Sequence, residues 1–179
     1  MAQRVADGFG LDVERISINR AGKKSAVVVA LDADDHPDLD LLERASRELS
    51  AEFDAAEERG ELQFGAQQYT LEVTTPGVDL PLTEPRHWRR NRGRLVEVQL
   101  DDAVLHGRVG ALASDERRVI LVEPAGRGVS GRVLELDKVR GAVVKIEFSK
   151  PPHAEVELAE TSFEAAQSTV EASKGEDHK

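Results

Sequence analysis

The sequence predicts an α+β protein with two small domains and a disordered acidic tail. Three observations support this class. The first half contains strand-like runs and one long amphipathic helix, the second half contains five short strand-like segments, and the net charge changes sign between them. The 179 residues suit one large domain or two small ones. The predicted divisions are an N-terminal α/β domain at 1–82, a linker with a short helix at 83–92, a β-barrel at 93–150 and the tail at 151–179.

The N-terminal domain is predicted to contain three strands packed by helices. Residues 13–20 and 26–31 predict a hairpin, because β-branched residues dominate the second run and charged residues bound it. Residues 69–75 predict a third strand, whose alternation places Leu71 and Val73 on one face.

A long amphipathic helix is predicted at residues 38–59. Its apolar residues recur three or four positions apart and form one stripe. The stripe consists of Leu39, Leu42, Ala45, Leu49 and Phe53. Asp35, Asp38 and Asp40 lie near the start, where carboxylates cap free N–H groups and oppose the helix dipole. Gly60 is the predicted stop.

Five strands are predicted in the region that follows. They lie at residues 94–100, 105–112, 118–123, 131–136 and 142–148, with turn-forming residues between them. Five short strands at this spacing indicate a small barrel, because closure removes exposed strand edges.

The segment 151–179 is predicted to be a disordered acidic tail. Pro151 and Pro152 prevent continuation of the last strand. Phe163 is the only large aromatic residue of the segment. Too little apolar surface is therefore available to offset the entropy of ordering.

The formal net charge of −10 conceals three regions of different charge. Residues 1–85 carry 8 Lys+Arg and 18 Asp+Glu, residues 86–150 carry 14 and 9, and residues 151–179 carry 2 and 7. An acidic region favours basic partners, whereas a basic region favours phosphate groups or acidic surfaces.

Five arginines fall within the nine residues 86–94, which we call the arginine-rich segment. They are Arg86, Arg89, Arg90, Arg92 and Arg94. Pro85 suits the first turn of a short helix, capped by Thr83 or Glu84 and ended by Gly93. Trp88 is predicted to anchor this helix in a domain, the alternative being a base-stacking platform.

Two roles remain open for these arginines. They can form a solvated face or pair with the acidic N-terminal domain. They can also contact an RNA backbone, since guanidinium groups bind phosphate through two hydrogen bonds.

The sequence predicts no catalytic, cofactor-binding or metal site. Cysteine is absent, and no two of the five histidines form an HxxxH pair. Residues 32–38 imitate the start of a calcium loop, but Pro37 stands where such a loop needs glycine. No apolar run is long enough to span a bilayer, so we predict a cytoplasmic protein without membrane contact and a monomer.

Residues 71–82, LEVTTPGVDLPL, resemble the signature of the bacterial ribosome maturation factor RimP family. The match comprises residues 71–77, Asp79, Pro81 and Leu82. Weaker matches are residues 45–47, His87, Trp88, Arg90 and Gly93. The resemblance covers about residues 1–150 and excludes the tail.

This resemblance implies a KH-like N-terminal domain and an SH3-like or Sm-like C-terminal barrel. It also implies a non-catalytic factor for assembly of the small (30S) ribosomal subunit. Such a factor binds the immature subunit and helps a basic ribosomal protein near the decoding centre to join. The charge distribution of this chain adds the expectation of 16S rRNA contact through the arginine-rich segment. The alternative is a stand-alone RNA-binding module. The acidic N-terminal domain opposes it, as does the absence from residues 1–82 of the Gly-x-x-Gly sequence of KH domains.

The linker motif is predicted to be mainly structural. It consists of Thr74, Thr75, Pro76, Gly77, Asp79 and Pro81. A type II turn at Pro76-Gly77 requires positive φ at Gly77. The family usually has arginine where this chain has Leu80. If that arginine is the partner of Asp79 in relatives, one of the arginines at 86–94 must take its place here.

Overall fold

The computed structural model describes residues 1–21, 24–63, 69–126 and 128–176. The chain divides into two compact units, Met1–Gly77 and Val78–Lys179. A three-stranded sheet lies in the first unit and a five-stranded sheet in the second, so the predicted mixed α+β class is confirmed. No helix in the described ranges is long and apolar enough to cross a membrane.

The first unit contains three strands and two helices. In chain order they are α1 (Ala2–Asp7), β1 (Asp12–Ala21), β2 (Lys24–Asp32), α2 (Leu39–Glu58) and β3 (Tyr69–Thr74). Strand β2 lies in the middle, antiparallel to β1 and parallel to β3. The three predicted strands and the long helix are confirmed. Helix α1 was not predicted from the sequence. Its residues Ala2, Val5 and Ala6 are buried in the core of this unit.

Helix α2 begins and ends as its sequence predicts. The carboxylate of Asp38 accepts a hydrogen bond from the backbone N–H of Leu41 at 2.7 Å, which satisfies a free donor of the first turn. Gly60 follows the last turn with φ of +72°. The predicted stripe is buried from Leu42 onward, but Leu39 is 83% exposed at the first helical position, so its assignment to the core is wrong.

The second unit contains five strands and three helices in the described residues. In chain order they are α3 (Pro85–Arg90), β4 (Leu95–Gln99), β5 (Val104–Leu112), β6 (Arg118–Ala125), β7 (Gly128–Glu135), a 3₁₀ turn (Leu136–Lys138), β8 (Gly141–Val144), α4 (His153–Glu160) and α5 (Phe163–Glu176). The sheet order is β7-β6-β5-β4-β8, and all neighbours are antiparallel. The five predicted strands are confirmed, although the last, predicted at 142–148, ends at Val144. The pairings among the described residues leave β7 and β8 at opposite edges, so a closed SH3-like barrel remains a prediction.

The five-stranded sheet buries apolar side chains on both faces. One core contains Trp88, Leu82 and the inward residues of the strands, such as Val96 and Leu121. A separate core on the other face contains Ala111, Ala113, Ile120, Val122, Ala159, Phe163 and Ala166. The last three of these residues belong to the C-terminal segment, so α4 and α5 cover the second face.

The prediction of a disordered tail is wrong for residues 153–176, which form α4 and α5. The composition of these residues did not predict helices, because it does not show that the five-stranded sheet offers an apolar face. On such a face, small alanines and one phenylalanine bury enough apolar surface to order the segment. Phe163 is 5% exposed, and the guanidinium of Arg118 lies 5.2 Å from the centre of its ring. Residues 177–179 lie outside the described ranges.

Two glycines of β5 allow close approach of β6. A Cβ atom added at Gly107 would lie 2.6 Å from the carbonyl oxygen of Val122, and one at Gly110 would lie 2.9 Å from Cβ of Ile120. The Gly-x-x-Gly sequences at 107–110 and 128–131 therefore belong to β5 and β7, and not to a loop between helices.

Candidate functional site

The arginine-rich segment starts in α3, whose first turn is fixed by a capping box. Glu84 is the N-cap and Pro85 occupies the first turn, where its missing N–H and fixed φ suit a helix. Nδ1 of His87 accepts hydrogen bonds from the backbone N–H groups of Thr83 (3.0 Å) and Glu84 (3.1 Å). A neutral ring with its proton on Nε2 satisfies this geometry. The predicted short helix and its cap at Glu84 are confirmed.

Trp88 anchors α3 in the core of the second unit. The side chain is 2% exposed and packs with residues such as Leu82, Val98 and Leu121. The prediction of an anchor is confirmed, and a ring buried in this way has no face available for base stacking.

Arg92 is engaged by the C-terminal helices. Its Nε donates to the carbonyl oxygen of Ala159 and its Nη2 to that of Thr161, both at 2.7 Å. These two carbonyls lie at the C-terminal end of α4, where a helix leaves acceptors unsatisfied and favours positive charge. Arg92 therefore acts as a cap for α4 in this structure.

The remaining arginines of the segment differ in accessibility. Arg89 pairs with Glu116 at 2.8 Å, and both side chains remain about half exposed, at 44% and 55%. Arg86 and Arg90 are half-buried, and each takes part in polar or electrostatic interactions. Arg94 is exposed. Arg89, Arg92 and Arg94 are thus the exposed arginines of the segment, and Arg92 is the one whose guanidinium is bound to backbone carbonyls.

Sequence reasoning missed Arg108, the most deeply buried charged side chain of this region. Its side chain is 1% exposed in β5. The guanidinium donates to both carboxylate oxygens of Glu147 (2.8 and 3.0 Å) and through two nitrogens to Glu155 (3.0 and 3.2 Å). A further bond of 2.8 Å reaches the carbonyl oxygen of Gly93. Arg108 therefore joins the arginine-rich segment, the residues after β8, and α4.

The opposite charges of Arg108 and its two carboxylate partners, Glu147 and Glu155, stabilise one another. Hydrogen bonding to Glu147 and then to Glu155 raises the pKa of Arg108 against the opposing effect of its burial. The hydrogen bond from Arg108 lowers the pKa of Glu147, with smaller contributions from the charges of Arg108 and Arg94. Arg108 and Glu147 are therefore both charged at neutral pH, and their hydrogen bonds hold Glu147 against β5.

The linker motif spans the division between the two units. Thr74 and Thr75 line a groove of about 690 Å³ in the first unit, together with residues 37–40 of the α2 start. Gly77 is not among the described glycines with positive φ, and the turn lies instead at Val78 and Asp79. The predicted type II turn at Pro76-Gly77 is therefore wrong.

The rest of the motif belongs to the second unit. The backbone N–H of Leu82 donates to the carbonyl oxygen of Ala142 in β8 at 2.9 Å, and its side chain enters the core. Asp79 and Pro81 are exposed, and Leu80 is half-buried. Asp79 takes part in an electrostatic or hydrogen-bond interaction despite Leu80 standing in the family's arginine position.

Acidic and histidine side chains are the candidate metal ligands of this chain, because it has no cysteine. In the part of the chain that the structure describes, no group of three or more of them is placed to hold an ion. In the imitation calcium loop, Oδ1 of Asp32 instead contacts Nδ1 of His36 at 3.0 Å.

The sequence is similar to known proteins over most of its length. The RimP N-terminal domain family matches residues 1–79. Proteins called "Ribosome maturation factor RimP" match in Corynebacterium aurimucosum (46% identity, 92% of this chain, 89% of the relative) and Corynebacterium diphtheriae (49%, 94% and 89%). The same name belongs to a relative from Corynebacterium kroppenstedtii at 45% identity, covering 90% of this chain and 92% of the relative. The segment LEVTTPGVDLPL, the two α/β and β-rich units and these identities lead to one conclusion: the chain belongs to the RimP family of ribosome maturation factors.

Proposed function

We propose that this ribosome maturation factor assists assembly of the small (30S) subunit as a binding protein, without catalysing a reaction. In this proposal it is a cytoplasmic monomer that binds the immature subunit and a basic ribosomal protein near the decoding centre. The observation that carries the proposal is the identity of 45–49% with maturation factors over at least 90% of this chain.

The charge distribution supports the proposal that two different surfaces bind the protein partner and the RNA. Residues 1–85 carry 18 acidic against 8 basic side chains, which suits a basic protein partner. The groove lined by Thr74 and Thr75 is also lined by Leu39, whose exposed apolar side chain lies between Asp38 and Asp40 in the sequence. Apolar contact flanked by carboxylates is the chemistry that binds a lysine- or arginine-rich segment.

The arginine-rich segment is the proposed contact to 16S rRNA. Arg89 and Arg94 are the best placed, because both are exposed and neither is bound to the end of α4 as Arg92 is. Arg86 and Arg90 remain candidates with smaller accessible surfaces. Arg92 contributes through α4, since both of its hydrogen bonds go to carbonyl oxygens there.

Co-sedimentation with immature and mature small subunits tests the proposal. We expect the wild-type protein to associate preferentially with immature subunits, and mass spectrometry of the bound fraction to show a basic ribosomal protein. Arg89→Ala should weaken association about 2- to 10-fold at moderate salt, as removal of one phosphate contact does. Arg132→Ala is the matched control, because Arg132 also forms an exposed surface pair, with Glu123.

Two results would contradict the proposal. One is wild-type protein that sediments with neither form of the subunit. The other is binding to free RNA without association with subunits, which would indicate a stand-alone RNA-binding module.

A further inference from the structure

An apolar stripe of the second unit continues from the core into solvent. Exposure along alternate residues rises from 2% at Ala142 and 8% at Val144 to 61% at Ile146 and 96% at Phe148. Alternate residues of a strand point to the same face. Ile146 and Phe148 continue this spacing in the sequence, beyond the end of β8 at Val144.

The buried ion pair fixes the residue between these two side chains. Glu147 lies between them in sequence, and both of its carboxylate oxygens accept hydrogen bonds from Arg108. The backbone N–H of Lys145 also donates to the carbonyl oxygen of Leu95 at 2.8 Å. Glu147 is thus held towards Arg108, which also bonds Glu155 of α4, whereas Ile146 and Phe148 on either side of it are exposed.

The surroundings of the stripe are basic. The β4–β8 register pairs Val96 with Val144, and the Lys145–Leu95 bond extends it, so Ile146 lies opposite Arg94. Arg94 is exposed, as is Lys150 two residues beyond Phe148. Arg108 shares its single positive charge between Glu147 and Glu155, and the charge of Arg94 also acts on Glu147. An exposed aromatic ring, with an exposed arginine near the stripe and an exposed lysine two residues further along the chain, complements an anionic strand that carries planar apolar groups.

We infer that Phe148, with Ile146, Arg94 and Lys150, forms a binding surface for single-stranded RNA. An unpaired base stacks on the ring of Phe148, and the flanking phosphates contact Arg94 and Lys150. This surface is distinct from the buried Trp88. The inference specifies that the proposed rRNA contact is made to unpaired nucleotides. That this RNA belongs to the ribosome rests on the proposed function.

Fluorescence anisotropy with the full chain tests the inference. The probe is a labelled RNA strand of about 12 nucleotides, a length within the usual site size for such surfaces, and the comparison is the same strand annealed to its complement. We expect tighter binding to the single strand. Phe148→Ala should weaken that binding about 10-fold, whereas Phe148→Trp should restore it. Arg94→Gln and Lys150→Gln should each lower the slope of log affinity against log salt by about 0.7.

Controls separate stacking from general apolar contact. Phe148→Leu keeps an apolar side chain without an aromatic ring, so it should bind RNA as weakly as Phe148→Ala. Val104→Ala removes another exposed apolar side chain, 56% accessible in β5, and should leave RNA affinity unchanged. Since Phe148 is 96% exposed, thermal unfolding followed by Trp88 emission should be the same for the wild type, Phe148→Ala and Phe148→Leu; circular dichroism replaces emission for Phe148→Trp, which adds a second tryptophan.

Three outcomes would overturn the inference: no preference for single-stranded RNA, wild-type affinity in Phe148→Ala, or wild-type affinity in Phe148→Leu. If Phe148→Ala weakened binding of a basic ribosomal protein but not of RNA, the surface would be a protein-docking site instead. The proposed function is tested separately, because wild-type co-sedimentation with subunits could fail while oligonucleotide binding through Phe148 persists.

Discussion

The two units of this protein are stabilised in different ways. The first unit packs α1 and α2 on one sheet around a single apolar core that includes Leu31, Leu49 and Phe53. The second unit has an apolar core on each face of its sheet and a buried arginine beside them. The acidic unit thus depends mainly on apolar burial, whereas the second unit also depends on charge compensation.

Each unit carries its own spectroscopic reporter. The sequence contains one tryptophan and one tyrosine. Trp88 is buried in the second unit, and Tyr69 lies in β3 of the first, where its ring contacts that of Phe53 at 6.4 Å between centroids. Tryptophan emission and tyrosine absorbance can therefore follow the two units separately.

The largest expected effect is that of Arg108→Ala on the second unit. Removing Arg108 leaves Glu147 and Glu155 without the partner that compensates their charges, so we expect a loss of about 3–5 kcal/mol in the free energy of unfolding. Urea unfolding followed by Trp88 emission measures it, while the tyrosine transition should not move.

A triple variant provides the control for Arg108. Changing Arg108, Glu147 and Glu155 together to Met leaves no unpaired charge, so stability should be higher than in Arg108→Ala. A triple variant less stable than Arg108→Ala would show that the ion pairs contribute through more than charge compensation.

Phe163→Ala should have the next largest effect. The ring is 5% exposed between α5 and the sheet, and truncation of a buried phenylalanine costs about 3 kcal/mol or more. We expect faster hydrogen exchange in residues 153–169 and a lower midpoint of the Trp88 transition. Phe148→Ala is the matched control, since Phe148 is 96% exposed, and it should leave both quantities unchanged.

The strands could be predicted because their sequences determine them locally. Runs such as residues 26–31 and 142–144 are β-branched and bounded by turns, and both form strands. The long helix followed from the stripe at Leu42, Ala45 and Leu49. Leu39 fits the same spacing, yet it is exposed, because spacing alone does not show where the opposing sheet ends.

The C-terminal helices could not be predicted from their own composition. Their binding site is encoded elsewhere, in the run of four apolar residues from Val119 to Val122, which lacks alternation. Such a run indicates a strand buried on both faces. The second face therefore needs an element that covers it, and residues of α4 and α5 pack there. The ionic partners of Arg108 lie 39 and 47 positions away, a separation that local patterns do not report.

Asp38→Ala should have a moderate effect confined to the first unit. The carboxylate caps α2 through the N–H of Leu41, and loss of such a cap costs about 1 kcal/mol. Tyr69 absorbance during urea unfolding measures this loss. Asp40→Ala is the control, because Asp40 lies in the first turn without being the N-cap; an equal loss in both variants would assign the effect to the helix dipole instead.

The smallest effects concern pH, and each unit contains a group whose shifted pKa makes its stability depend on pH. In the second unit, the pKa of Asp101 is lowered mainly by its hydrogen bond with Arg140, and that of Glu147 mainly by Arg108. A carboxylate with a lowered pKa stabilises the folded state above its ordinary value and loses that contribution as pH falls. The Trp88 transition should therefore move to lower urea below pH 4.5, the ordinary value for glutamate.

In the first unit, burial of Tyr69, reinforced by its 2.9 Å hydrogen bond to Asp54, raises its pKa to about 12 from the ordinary 10. The neutral phenol is the form that the fold favours, so its contribution is complete below pH 10 and is lost as pH rises towards 12. Tyr69→Phe cannot ionise and should remove this alkaline loss. Because that variant lacks the reporter, circular dichroism at pH 9 and pH 11.5 serves for both proteins, with Trp88 emission defining the contribution of the second unit. If Tyr69→Phe lost as much stability in alkali as the wild type, Tyr69 would not be the group responsible.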